Sequence, residues 1–357
     1  MGRQALDRAA AFAADYALRV PILQAPMAGV SPPALSVAVA RGGGMGACGA
    51  LMMGADEIAA WAAEVRAKTN GAFQINTWIP GPPPTRDAAH EDAVAEFLAG
   101  FGPRPEPPEA TPTQDFDAQC EAMLAAGPSV VSSIMGLYPP EFVARLKTAG
   151  VRWFAAATTV AEARAAVEAG ADAVVAQGME AGGHRGAFDA DRAGDRLVGL
   201  FALLPAIADA VDVPVIATGG IADARGIAAA MLLGASAVQI GTGYLRTPEA
   251  AIARSWADAI GQAAPEDTVA TRAFSGRLGR SLRTTYAEAA AAPEAPPPAP
   301  YPIQRALTGP MRAAAARESD VERMQAWAGQ SARLAEATPA AELTTRLWEE
   351  AKALMQV

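Results

Sequence analysis

Eight times in succession a short apolar run ends in a turn rich in small residues and gives way to a stretch with helical spacing. The runs lie at 20–25, 45–49, 73–78, 130–134, 151–156, 173–177, 213–217 and 237–240. Continuous apolar runs of this length, bounded by turn signals, suit strands buried on both faces of a parallel sheet. Eight strand-then-helix units within about 250 residues predict an α/β fold, the (β/α)8 TIM barrel. An open doubly wound sheet is the rival, but it would normally carry a G-x-G-x-x-G turn after its first strand. Here the first run leads into Ala25-Pro26-Met27-Ala28-Gly29 instead.

Two interruptions break the rhythm. Between 80 and 113 the composition shifts to proline, with Pro82, Pro83 and Pro84 at one end, more prolines from 103 to 108 at the other, and one short helix expected near 90–99. This reads as an insertion at the exit of the third strand, placed where it could act as a lid. After the eighth strand the chain turns helical, crosses a Pro/Ala-rich linker at 292–300 and ends in two further helices. The expected division is a barrel over 1–249, a small mostly helical substrate-side lobe over 250–315, and C-terminal helices over 316–357 that return to the barrel.

Bulk properties exclude several classes. A net charge of −9 provides no basic footprint for nucleic acid. No run reaches the length of a membrane span, and the N-terminal segment, with Arg3, Asp7, Arg8 and Asp15 among its alanines, is not expected to be a signal peptide. Cys48 and Cys120 show neither a disulfide nor a zinc pattern. The expectation is a cytoplasmic monomer or homodimer acting on a small molecule, with no metal, membrane or nucleic-acid partner.

Chemistry concentrates after the sixth run. Gln177-Gly178-Met179-Glu180-Ala181-Gly182-Gly183-His184-Arg185-Gly186 sets one of only two histidines in a glycine-rich loop at a strand's carboxyl end, the edge where ligands of parallel barrels gather. The other, His90, sits beside Glu91 and Asp92 in the insertion and reads as a solvated helix position. The seventh and eighth strands run into Thr218-Gly219-Gly220-Ile221 and Gln239-Ile240-Gly241-Thr242-Gly243. Consecutive glycine turns in this position bind phosphate through unhindered backbone N–H groups and a helix N-terminus. Without a Walker sequence or a nicotinamide fingerprint, the phosphate belongs to FMN or a sugar phosphate. Amides at strand ends, on Gln24, Asn76 and Gln177, favour the flavin ring.

Taken together, the segments 21–29, 177–186, 219–226 and 239–242 resemble the nitronate monooxygenase family, formerly 2-nitropropane dioxygenases, in the family's order; Trp327-Ala328-Gly329-Gln330 also looks like a family element. The resemblance implies non-covalent FMN, with Ala25, Pro26 and Met27 near the isoalloxazine and Asn76 and Gln177 contacting it. Gly182 and Gly183 of the loop, Gly219, Gly220, Gln239, Ile240, Gly241 and Thr242 would complete the cofactor site. It further implies that His184 is the general base for neutral nitroalkanes, whereas a preformed nitronate needs none. Oxidation by O2 to a carbonyl compound and nitrite would follow through a flavin semiquinone. Propionate 3-nitronate, alkyl nitronates and nitroalkanes are all compatible substrates.

Two departures stand out: Gly241-Thr242-Gly243-Tyr244 lacks the arginine common after the eighth strand, for which Arg225 or Arg246 could compensate, and the insertion leaves specificity open. The histidine loop also resembles FMN-dependent NAD(P)H reductases acting on enoyl-ACP or quinones, against which Ala25-Pro26-Met27 argues, since those carry Gly-Gly-Met. A non-catalytic flavin-binding protein is a third reading. Glu180 is expected to cap or pair rather than catalyse, Asp189, Asp191 and Asp195 to be a solvated loop, and Ser275 and Gln330 are candidates to reach the pocket.

Overall fold

The apolar runs form one eight-stranded parallel sheet in the computed structural model, which describes residues 1–109 and 114–356. Strands β1 (Ile22–Gln24), β2 (Gly46–Gly49), β3 (Phe73–Trp78), β4 (Val130–Ile134), β5 (Arg152–Ala157) and β6 (Ala173–Gln177) follow one another around the barrel. The two-residue β7 (Gly183–His184) leaves it, and β8 (Val215–Thr218) and β9 (Ala237–Ile240) complete the circle back to β1. Closure between β1 and β2 runs through Met45, whose N–H donates to Ile22 O at 3.0 Å and whose carbonyl accepts from Gln24 N at 2.9 Å. The result is a (β/α)8 TIM barrel.

Helix α1 (Gly2–Asp15) covers the amino end of the barrel. Its Phe12 joins Leu23, Met45, Phe154, Val175 and Ile216 in the barrel's interior cluster, so this end is filled. The outer ring is built by α2 (Pro33–Arg41), α3 (Ala55–Lys68), α5 (Phe116–Ala126), α6 (Pro140–Thr148), α7 (Val160–Glu168), α8 (Leu200–Ala208) and α9 (Ala224–Leu232), with α4 (Ala88–Ala99) set apart from it. Strand and helix termini follow local chemistry: Pro33 opens α2, and the side chains of Asp115, Thr159 and Asp223 cap α5, α7 and α9.

Beyond β9 come α10 (Arg254–Gln262), the hairpin strands β10 (Thr268–Thr271) and β11 (Gly279–Leu282), α11 (Thr285–Ala289), α12 (Ile303–Leu307) and α13 (Gly309–Glu318). The last helix, α14 (Ala340–Met355), packs against α2 and α9 and fills the eighth place in the ring. Tyr244, fully buried after β9, ties to it through a 2.7 Å bond with Thr344 Oγ1.

The insertion is more structured than its composition suggests. Val94, Ala95 and Leu98 of α4 are buried with Phe274, Tyr286, Ile303 and Leu307, in one hydrophobic cluster with the helices beyond β9. The second lobe is therefore discontinuous in sequence, and α4 is part of its core rather than a detached lid. Residues 110–113, where the insertion ends, lie outside the described residues.

Candidate active site

A cavity of about 580 Å³ opens at the carboxyl end of the barrel, between the strand exits and the second lobe. The loop after β6 crosses it. Because β7 pairs in antiparallel fashion with β11, Gly279 opposite His184, the loop is stitched to the lobe by a short sheet, β10–β11–β7. Trp327 extends this sheet by bridging to Ser281. His184 is thus held by backbone on the side away from the barrel.

Side chains fix the loop from the barrel side. Gln177 donates through Nε2 to His184 O at 3.0 Å and accepts from Gly186 N at 2.7 Å. Arg185, buried, donates to Gln177 O at 2.5 Å, and Arg280 donates to Met179 O at 2.9 Å. Glu180 receives the Leu200 N–H at 2.8 Å and so caps α8. Gln177 lines the cavity, but both ends of its amide are committed to the loop.

The His184 ring sits between two indoles, with centroids 4.7 Å from Trp78 and 4.9 Å from Trp327, both edge-on. Its Nε2 lies 2.7 Å from Ser275 Oγ. Burial is the main force that pushes its pKa down to about 3, and the charges of Arg277, Arg305 and Arg312 push the same way. The imidazole is therefore neutral at pH 7, with one ring nitrogen carrying a free lone pair.

Those three guanidiniums have no carboxylate partner among the described residues. Arg305 and Arg312 line the cavity. Arg312 donates to Thr308 Oγ1 and to Arg305 O, and burial, then the neighbouring Arg305, lower its pKa to about 10. Arg277 lies over the rings of Trp78 and Tyr301, 5.9 and 5.6 Å from their centroids. A cavity wall with this much unpaired positive charge suits an anion.

Of the residues singled out in the sequence, Ala25, Pro26, Met27, Asn76, Gln177, Gly182, Gly183, His184, Gly219, Gly220, Gln239, Gly241 and Thr242 all line this one cavity. Ile240 does not: its side chain is in the core between barrel and helices, and its carbonyl accepts the Ala25 N–H at 2.8 Å. Gln24 is also displaced, its amide spent on Ala47 and Ser36 in the barrel wall. Asn76 donates to Ser132, which leaves Oδ1 without a protein partner among the described residues. Gln239 accepts from Gln74, leaving its Nε2 free in the same sense. An unused acceptor on β3 and an unused donor on β9, both in the wall of this cavity, fit the edge of a heteroaromatic ring.

At the other end, Gly219 and Gly220 have φ of +109° and +68°, a conformation only glycine adopts without strain. They lie beside Gly182, Gly241 and Thr242, close to the N-terminus of α9. Neither Arg225 nor Arg246 supplies a cation here. Arg225 is exposed and paired with Asp223, and Arg246 donates to Ala335 O. An anionic group at this end would meet backbone N–H groups and the helix terminus rather than a side-chain cation.

Sequence reasoning missed Trp78, Tyr301, Arg277, Arg305 and Arg312, and had no position for Ser275. Ser275 is fully buried behind His184, and Gln330 stays out of the cavity wall while its N–H donates to Glu180 O at 2.9 Å. Asp189 only organises its own turn, accepting from Asp191 N and Arg192 N. Among the described residues no group of histidine, cysteine and carboxylate side chains could hold a metal, and no helix is long and apolar enough to cross a membrane.

A family model described as nitronate monooxygenase matches residues 11–350 of the chain. The chain is 42% identical over 344 residues to a nitronate monooxygenase of Paraburkholderia phytofirmans, covering 93% of this chain and 92% of that one. It is 38% identical over 348 residues to one from Pseudomonas aeruginosa, covering 93% and 96%. Among solved structures, a nitroalkane oxidase from Streptomyces ansochromogenes superposes with a TM-score of 0.84 at 36% identity, over 95% of this chain and 97% of that one. FabK from Thermotoga maritima superposes with a TM-score of 0.75 at 29% identity, over 97% of each.

Proposed function

The chain belongs to the nitronate monooxygenase family and is an oxidoreductase, and from that premise we propose that it oxidises nitronates with O2 to a carbonyl compound and nitrite, using bound FMN. Neutral nitroalkanes enter the same reaction once deprotonated. The observation that carries this reading is a neutral imidazole, His184, in the wall of a cavity whose lobe side presents Arg305 and Arg312.

FMN bound in this cavity supplies the electron acceptor. Asn76 Oδ1 and Gln239 Nε2 would meet its ring, the backbone of Ala25 to Met27 would lie alongside, and Gly182, Gly219, Gly220, Gly241 and Thr242 would receive its phosphate. The chain's own residues handle substrate and proton. Arg305 and Arg312 draw a nitronate in and offset the charge left on the nitro group when Cα loses its proton. A second anionic group, as in propionate 3-nitronate, suits the same pair. His184 takes the proton, and the Trp78 and Trp327 rings hold the imidazole in one plane while keeping water away from it.

The test compares two forms of one substrate. His184→Asn is expected to retain FMN and to slow oxidation of a neutral nitroalkane by roughly 10²- to 10⁴-fold, the usual worth of a positioned base, while a preformed nitronate loses less than about tenfold. Equal losses on both forms would remove the base role from His184.

A further inference from the structure

His184 has two ring nitrogens, and the structure gives them opposite surroundings. Nε2 faces Ser275 Oγ at 2.7 Å, inside protein, since Ser275 is 0% exposed. Nδ1 has no hydrogen-bond partner among the described residues, and the ring forms part of the cavity wall. Which nitrogen carries the proton decides which one can act as a base.

The serine hydroxyl has one donor and two acceptor sites. Two further contacts, both 3.3 Å, join it to Arg277: the Arg277 N–H points to Oγ, and Oγ–H can reach the Arg277 carbonyl. If Nε2–H donates to Oγ, every site of the hydroxyl is used, because Oγ–H then serves the carbonyl. If Oγ–H instead donates to Nε2, the carbonyl loses this donor and a proton must sit on Nδ1. There it would find no protein acceptor among the described residues. The 3.3 Å contacts are long and weak, so the surroundings of Nδ1 carry most of the discrimination.

We propose that Ser275 is a positioning residue that holds His184 as the Nε2–H tautomer and leaves the Nδ1 lone pair facing the cavity as the basic atom. This rests on the reading of His184 as the base for neutral nitroalkanes. In the step itself the substrate Cα–H bond breaks, the proton forms an N–H bond at Nδ1, and the electron pair stays on the nitronate. Nε2–H remains on its nitrogen throughout, and its bond to Ser275 strengthens as the ring becomes positive. No proton passes to the serine. Trp78 and Trp327, edge-on to the ring, oppose the flip that would exchange the two nitrogens.

The chain has only two histidines, so the tautomer can be read directly. In ¹⁵N-histidine-labelled holoenzyme, His90→Asn leaves one imidazole, and its nitrogen–proton couplings above pH 7 identify which nitrogen is bare. The expected spectrum shows a single tautomer with Nδ1 unprotonated. Ser275→Ala is expected to mix the tautomers and to lower kcat on a neutral nitroalkane by roughly tenfold, with KM and nitronate oxidation nearly unchanged, and Ser275→Thr to restore both signals. A protonated Nδ1 in the otherwise unaltered enzyme would overturn the proposal, as would a tautomer unmoved by Ser275→Ala. Should Ser275→Ala fail to fold, the spectrum of the serine-containing protein still decides. A bare Nδ1 together with normal nitroalkane turnover in His184→Asn would uphold the tautomer and reject the base reading, so the two claims fail separately.

Discussion

At the scale of single residues, burial and three guanidiniums without a carboxylate partner among the described residues set the behaviour of His184. Both effects disfavour the imidazolium, so the folded-state pKa lies near 3, well below the ordinary 6.5. The sign follows directly: acid must protonate the ring to disable the base, and that happens only as pH falls toward 3. For a neutral nitroalkane, kcat/KM is expected to show no acid limb in the ordinary histidine range. Arg312→Leu removes one of the charges that hold the pKa down, so any limb moves to higher pH, and the KM for a nitronate rises by roughly tenfold. A limb near 6.5 in the unmodified enzyme would contradict this electrostatic account. The same depression costs stability in acid. Above 6.5 the neutral ring has no effect, whereas from 6.5 down toward 3 the unfolded chain binds a proton that the native state refuses.

At the scale of elements, the site depends on how closely the histidine loop lies against the 326–329 segment. A Cβ on Gly182 would come within 2.5 Å of Gly329 N and 2.6 Å of Ala328 C, both backbone atoms with little room to give. Gly182→Ala is expected to cost about 1–3 kcal/mol, from forced displacement of packed backbone, and to reduce flavin retention as Trp327 shifts. Gly183→Ala meets open space and bears only the strain of φ +77°, about 1–2 kcal/mol. Thermal unfolding and flavin content of the two variants check this; a Gly182→Ala protein as stable and as yellow as its parent would refute the close-packing argument. The glycines of this loop and of the turns after β8 and β9 were legible in sequence because their demand is local: a turn, a positive φ, a backbone laid against a ligand. The three arginines were not, nor was the placement of Ser275 and Trp327 against His184, because nothing near them in sequence says that β11 will pair with His184.

At the scale of the whole molecule, eight apolar runs sufficed to indicate the barrel, since parallel strands buried on both faces leave an unmistakable alternation with helices. The second lobe was harder to read. Its core joins α4, from a proline-rich insertion, to helices some two hundred residues later, and local composition cannot report such long-range pairing. The same long-range pairing creates the site: the barrel supplies glycine turns, strand-end amides and Trp78, while the lobe supplies cations, Trp327 and the serine behind His184. A barrel with glycine turns alone is compatible with a nicotinamide-dependent reductase, whereas cations facing a neutral base favour an anionic nitronate. The most direct test mixes the purified yellow holoenzyme anaerobically with a nitronate and, separately, with NADH or NADPH, following the flavin absorbance. The nitronate is expected to change the flavin spectrum within the time of turnover and the nicotinamides to leave it unaltered; rapid bleaching by NADH or NADPH, with no response to the nitronate, would contradict the proposed function.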